Sequence, residues 1–275
     1  MRPVLALFLS LALTINVYAD ENSIVVASTT STENSGLFDY LLPRFTKQTG
    51  IKVKVVAVGT GQAIHLAENG DADVLFVHHP ESEKKFVIQG FGVERYAVMH
   101  NDFIIVGPAD DPAKIRGRGR GRAGEALEAI ARAQVPFASR GDDSGTHKKE
   151  MSLWKVGSVD PTEASGTWYR ETGSGMGATL NVASGMDAYA LTDRATWLKF
   201  GNKGNLELLV EGDPVLFNPY GVILVNPNRY AHVKAEAGQA FIDWLLSLEG
   251  QTLISEYRIE GQPAFFPDAL PGLKD

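Results

Sequence analysis

Four stretches of the chain combine hydroxyl side chains with glycine and few bulky groups: Ser28-Thr29-Thr30-Ser31-Thr32, Gly59-Thr60-Gly61, Ser139 through Thr146, and Gly173 through Gly177. The third is the densest. It sets Arg140, Asp142 and Asp143 among Ser139, Ser144, Thr146 and two glycines, and the basic run His147-Lys148-Lys149 follows. Residues of these types hold anions well. Hydroxyls and backbone N–H groups donate hydrogen bonds, glycine lets the backbone come close, and arginine adds a fixed cation with a fork of donors. A loop that opens a helix adds unpaired N–H groups and the positive end of the helix dipole. Each loop alone also reads as an ordinary N-cap. Arg140 with Asp142 or Asp143 also reads as a surface ion pair worth little. Several such loops, with an arginine in the densest, exceed what capping requires.

Other chemistries are less well served. Gly173 to Ala178 fits G-x-G-x-x-A, and Asp193 follows twenty residues after Gly173, as a nucleotide fingerprint wants. This motif comes late in the chain, and a free nicotinamide cofactor suits an exported protein poorly. No serine stands in G-x-S-x-G, so a serine hydrolase is not indicated. There is no cysteine, hence no disulfide framework or thiolate metal site. His78 and His79 are neighbours on or just after a strand and so point to opposite faces, while His65, His100, His147 and His232 are scattered. No metal site is expected, and the protein is not expected to be an enzyme.

The loops need a scaffold. Ile24 to Ala27, Ile51 to Val58, Asp73 to Val77 and Asp102 to Pro108 read as strands. A helix with Leu37, Leu41 and Phe45 on one face ends near Gly50, with Pro43 expected to kink it. Another runs from Glu81 to Gln89. Further on, VPFAS, AYALTD, LELLVEG and YGVILVNP read as strands, and AGQAFIDWLLSLEGQTLISEY as one long amphipathic helix. Trp154, Trp168, Trp197 and Trp244 read as core or lobe-packing residues. Alternation of this kind predicts an α/β protein of two lobes, each a mostly parallel sheet flanked by helices, with two crossing segments. The lobes are placed at 20–104 plus 214–275 and at 105–213. In such sheets ligands bind beyond the carboxyl ends of the strands, where these loops lie.

The first 19 residues hold Arg2, an apolar run and Val-Tyr-Ala, the pattern of a cleavable signal peptide. The apolar run is shorter than the ~20 residues of a membrane span. Net charge is −7, which argues against general nucleic-acid binding while leaving room for a local anion site. The Arg-Gly repeat from Arg116 to Arg122 reads as an exposed loop.

Read together, STTSTENSGLFDYLLPRFTKQTG, VGTGQAIHLAENGDADVLFVHHPESEKKFV, YAVMHNDFIIVGP, SRGDDSGTHKKEMSLWK, ETGSGMGATLNVA and EGDPVLFNPYGVILVNP resemble the tungstate-binding proteins of ABC importers over nearly the whole mature chain. The Arg-Gly repeat is a departure from the family's pattern, well away from the site motifs. The resemblance implies a type II periplasmic binding protein that closes on a tungstate or molybdate dianion and delivers it to a membrane permease. It further implies a monomer with no cofactor. Carried over by position, it points to Thr29, Thr30, Ser31, Thr60, Arg140, Ser144, Gly145 and Thr146 as ligand-binding residues, with Gly175 and Met176. Phosphate is the alternative guest, because phosphate-binding proteins of similar fold carry a comparable Arg-x-Asp-x-Ser-Gly-Thr run. A protonated phosphate gains from a carboxylate acceptor, whereas a fully ionised oxyanion wants donors only. The choice therefore turns on whether Asp142 faces the guest or holds Arg140.

Overall fold

The computed structural model describes residues 22–117 and 122–269; the expected leader and the centre of the Arg-Gly repeat lie outside them. In chain order the elements are β1 (Ser23–Thr29), α1 (Thr30–Asn34), α2 (Leu37–Thr49), β2 (Lys52–Val58), α3 (Thr60–Glu68), β3 (Val74–Val77), α4 (Pro80–Ile88) and β4 (Gly92–Pro108). Then come α5 (Ala123–Ala133), β5 (Phe137–Ser139), α6 (Gly145–Val156), β6 (Tyr169–Glu171), α7 (Met176–Met186), β7 (Ala190–Asp193), α8 (Arg194–Lys199) and β8 (Leu206–Val210). The described chain closes with β9 (Phe217–Val225), α9 (Ala235–Leu246), α10 (Leu248–Glu256) and three two-residue strands.

Strand β1 is apolar and buried along nearly its whole length, as a central strand must be. It pairs in parallel with β2 up to Thr29↔Val58, and with β3 up to Ser28↔Phe76. That register brings the carboxyl ends of three strands level, so the loops that follow them share one edge of the sheet. Strand β9 runs antiparallel to β3, and β4 antiparallel to β9 as far as Asp102↔Phe217. From Phe103 onward β4 pairs instead with β7 and β8, so one strand of 17 residues belongs to two sheets. Beside the second sheet, β5 pairs in parallel with β6 and makes an isolated bridge, Phe137↔Tyr189, to the residue just before β7.

The first sheet is thus mixed and the second pairs antiparallel, where mostly parallel sheets were expected. The reason lies in the crossing. A chain that leaves one half and returns places the outgoing strand, β4, beside the returning strand, β9, and these necessarily run in opposite senses.

One apolar cluster gathers Ile24, Phe45, Val222 and Phe241 between the first sheet and α2 and α9. Another gathers Phe103, Leu127, Phe137 and Trp154 between the second sheet and α5 and α6. Trp168 packs at the margin of that second cluster rather than at a cleft. Helix α2 continues through Pro43, which faces solvent, where water can take the carbonyl that the ring leaves without a donor. The long terminal helix is two helices, because Ser247 turns extended (ψ 162°) and its hydroxyl caps α10 at the Gly250 N–H, 3.2 Å away. No helix among the described residues is long and apolar enough to cross a membrane.

Candidate functional site

Each of the level strand ends supplies one wall of a small, tight cavity. After β1, Thr29 is the N-cap of α1 and brings Thr30 and Ser31 with it. After β2, Gly59 caps α3 and Thr60 is its first residue. After β3 comes His78. The fourth wall belongs to the other half of the molecule. There β5 leads to Arg140, and Ser144 caps α6 through a hydrogen bond from the His147 N–H, 3.2 Å long, which sets Gly145 and Thr146 in the first turn. The structure therefore brings together Thr29, Thr30, Ser31, Thr60, Arg140, Ser144, Gly145 and Thr146 around one space. All are buried except Thr30, which is half-buried.

The two halves touch here. The Gly145 N–H donates to Thr60 Oγ1 at 3.2 Å. Glycine is required by this approach, since a Cβ at 145 would sit 2.9 Å from Thr60 Oγ1 and 3.1 Å from His78 Cε1. Thr29 Oγ1 shares hydrogen bonds with Ser31 Oγ at 3.1 Å and Thr32 Oγ1 at 2.8 Å. Thr146 Oγ1 is different, because it is buried and makes no hydrogen bond within the described protein. Buried polar atoms almost always have partners, so an orphaned hydroxyl at a helix N-terminus facing a cavity points to a guest that accepts from it.

Arg140 is only 5 % exposed. Its Nη2 and Nε donate to Asp142 Oδ2 at 2.5 and 3.1 Å, and Asp142 Oδ1 accepts from the Ser144 N–H at 3.3 Å. Asp142 does not line the cavity. Burial pushes its carboxyl up, but the hydrogen bonds from Ser144 and Arg140 and the guanidinium's charge together hold it below the usual range. The carboxylate is thus occupied in aiming the arginine. What faces the cavity is a set of groups able to donate, namely hydroxyls, backbone N–H groups and the guanidinium, with the His78 ring among them.

One sequence expectation needs revision. Gly175 and Met176 do not reach this cavity. Gly175 is the exposed N-cap of α7, and the Met176 side chain is drawn into an apolar cluster with Leu180, Ala190 and Trp197, because burial suits a thioether better than a polar cavity does. Asp193, the acid of the nucleotide fingerprint, is buried and caps α8, accepting from the Thr196 N–H at 2.9 Å and the Thr196 hydroxyl at 2.6 Å. It is not free to hold a ribose. As one of an adjacent pair, His78 carries no local signal for the site. Alternation did place the two rings apart, since His79 caps α4 at Ser82 while His78 lines the cavity. The usable signal was its place at the end of a third buried strand, level with the other loops.

A wider groove of about 920 Å3 adjoins the cavity, sharing His78 and Gly145 and carrying His79, His147, Lys148 and Lys149 on its walls. Its breadth suits approach rather than capture. Among the described residues, no group of three or more His, Asp or Glu side chains could hold a metal ion.

Comparison with known proteins gives the same picture. Residues 16–249 match the model of the PBP superfamily domain. The tungstate-binding protein TupA of Peptoclostridium acidaminophilum is 49% identical over 251 residues, covering 90% of this chain and 87% of that one. Two solved structures superpose with a TM-score of 0.78. They are the tungstate-binding protein TupA of Desulfovibrio alaskensis, 44% identical over 90% of this chain and 99% of that one, and the tungstate ABC transporter protein of Geobacter sulfurreducens, 49% identical over 86% and 99%.

Proposed function

From a chain that belongs to the tungstate-binding family of the PBP superfamily, we propose the solute-binding component of an ABC importer, which captures tungstate in the periplasm and passes it to a membrane permease. The protein is exported by cleavage of residues 1–19 and works as a monomer without a cofactor. It binds and does not catalyse, and nucleic acid has no part in its action. Molybdate, nearly the same size, is accepted as well.

The ligand residues are Thr29, Thr30, Ser31, Thr60, Arg140, Ser144, Gly145 and Thr146, which line one cavity. Residues 20–104 with 214–275 and residues 105–213 form two lobes, each carrying part of this set. The anion bridges them, and the closed form is populated because only there does it meet both sets of donors.

The observation that carries this reading is the orientation of Asp142. Its oxygens take hydrogen bonds from Arg140 and from the Ser144 N–H, outside the cavity lining. A protonated phosphate gains from a carboxylate acceptor, which Asp142 does not offer the cavity, whereas a fully ionised oxyanion is served by donors alone. Tungstate and molybdate are fully ionised near neutral pH. The test is a thermal-shift screen of the purified protein against tungstate, molybdate, sulfate, phosphate and nicotinamide nucleotides. A ligand at one hundred times its dissociation constant stabilises the fold by about 2.7 kcal/mol. Tungstate and molybdate should raise the midpoint while the others leave it unchanged. A response to phosphate alone, or to a nucleotide, would replace this reading.

A further inference from the structure

His78 is the lining residue whose ring nitrogen can present either an N–H or a bare lone pair. Its ring stacks on Tyr220, with centroids 4.9 Å apart and planes at 29°. On the cavity side, Nε2 lies 3.3 Å from Ser31 Oγ. On the other side, Nδ1 lies 3.0 Å from the side-chain amide of Asn218, whose other amide atom is 2.6 Å from the amide of Asn101. Asn101 and Asn218 face each other in the register of β4 and β9, one position before β4 leaves the first sheet. A row of polar contacts thus runs from the crossing strands to the anion cavity, buried throughout.

Protons can be shared along this row in two ways, because an amide's oxygen and nitrogen have nearly the same shape and only the network tells them apart. With the Asn218 oxygen toward the ring, Nδ1 holds the proton. Nε2 is then a bare lone pair that draws the Ser31 hydroxyl proton away from the guest. That arrangement also leaves Asn101 Nδ2 buried without a partner, the second such orphan among the described residues. With both amides turned over, the Asn101 nitrogen donates to the Asn218 oxygen, and the Asn218 nitrogen donates to Nδ1. The proton then sits on Nε2, aimed at Ser31 Oγ, and the Ser31 hydroxyl is free to donate to the guest. The Asn101 oxygen now stands where the orphaned nitrogen stood. An under-satisfied buried carbonyl oxygen is commoner than an orphaned N–H.

We propose that His78 is a further positioning residue of the oxyanion site: the paired amides of Asn101 and Asn218 hold its proton on Nε2, where it supports Ser31 and faces the cavity as a donor. The inference rests on the oxyanion reading given above. It fits the logic of the cavity, since a ring that could present a bare lone pair is turned into a donor. The ring stays neutral. Burial holds its pKa down at about 4, and the Arg140 guanidinium and neighbouring His79 act in the same direction. The positive end of α6 at Gly145, packed against Cε1, also disfavours a second proton. Capture near neutral pH therefore needs no proton at this site.

The decisive measurement is the 15N spectrum of histidine-labelled protein at pH 7, free and with sodium tungstate, with His78 assigned by the signal lost in His78→Gln. We expect a protonated Nε2 and a bare Nδ1 in both states. A proton on Nδ1, or an imidazolium, in either state would overturn the proposal. Affinity supplies a second arm. His78→Gln, which keeps an N–H, should bind tungstate within about threefold of the parent, while His78→Leu should lose about tenfold, or 1.4 kcal/mol. Equal losses in the two variants would mean that the ring only fills space, and would also overturn it. Parent affinity should stay flat between pH 6.5 and 8.5; affinity that rises as pH falls, with proton uptake, would count against the neutral donor. Failure of the parent to bind tungstate would instead sink the proposed function. The tautomer is still read on the free protein.

Discussion

Replacing Arg140 with alanine isolates the cation of the site. Two of its nitrogens are engaged by Asp142, and its remaining N–H groups make no hydrogen bond within the described protein. Those groups are available to a guest. A charge-assisted hydrogen bond contributes about 1.5–3 kcal/mol, so one lost bond lowers affinity roughly tenfold or more, and two lower it at least a hundredfold. The substitution also strands the Asp142 carboxylate, 19% exposed, beside a space that receives a dianion. Arg140→Ala with Asp142→Asn removes that repulsion and should recover part of the loss, which Arg140→Ala alone cannot. Calorimetric titration with sodium tungstate reads the affinities, and a thermal midpoint for each variant shows that the fold persists. Parent-like affinity in Arg140→Ala, within twofold, would remove the guanidinium from the site. A double variant weaker than the single one would mean that Asp142 itself serves the ligand.

Thr146→Val keeps the shape and removes a hydroxyl that has no protein partner. It should leave the thermal midpoint nearly unchanged and weaken tungstate binding about tenfold, whereas a loss of stability without a loss of affinity would make Thr146 structural. Gly145→Ala drives a methyl against Thr60 Oγ1 and His78, so affinity should fall at least tenfold by titration with a smaller effect on stability; parent-like binding would deny the close approach of the halves. Thr60→Ala removes the acceptor of the Gly145 N–H and should weaken binding less than Arg140→Ala does, as the same titration would show. Glu150, beneath the site, is pushed by burial up to about 7 although Tyr169, Ser139 and Trp154 all donate to it. The folded state then binds more protons than the unfolded one between about pH 5 and 7, so this group's contribution to stability falls as pH rises through that window. Measured by denaturation, parent stability relative to Glu150→Gln should drop by up to about 1.4 kcal/mol per pH unit there; a constant difference would contradict the shift.

Much of the site is legible in the residues, because its chemistry is local. A serine or threonine after a buried strand and before an amphipathic helix has few places to go, and Thr29, Thr60 and Ser144 all stand at helix starts. What brings them together is the parallel register of β1 with β2 and β3, which no single stretch encodes. Before Asp102 strand β4 has no legible strand pattern, because Glu94, Arg95, His100 and Asn101 interrupt the apolar run. Their exposure or pairing makes sense only with β9 alongside, a partner more than a hundred residues away in sequence. The misplacement of Met176 has a related cause. A glycine-rich turn marks a helix start equally well whether it faces a ligand or a neighbouring helix, and tertiary packing decides between them.

Strand β9 lies between β3 and β4 in the middle of the first sheet, yet it comes late in the chain. Until Phe217–Val225 is delivered, β3 and β4 have no common neighbour and both present bare edges, so this sheet cannot close on a partial chain. Contacts so distant in sequence form slowly. A polypeptide threaded through a translocon from its N-terminus would stay unlocked until almost all of it had passed, which suits a machine that moves only slack chain. Truncation before Phe217 should leave a protease-sensitive product with no folded first half.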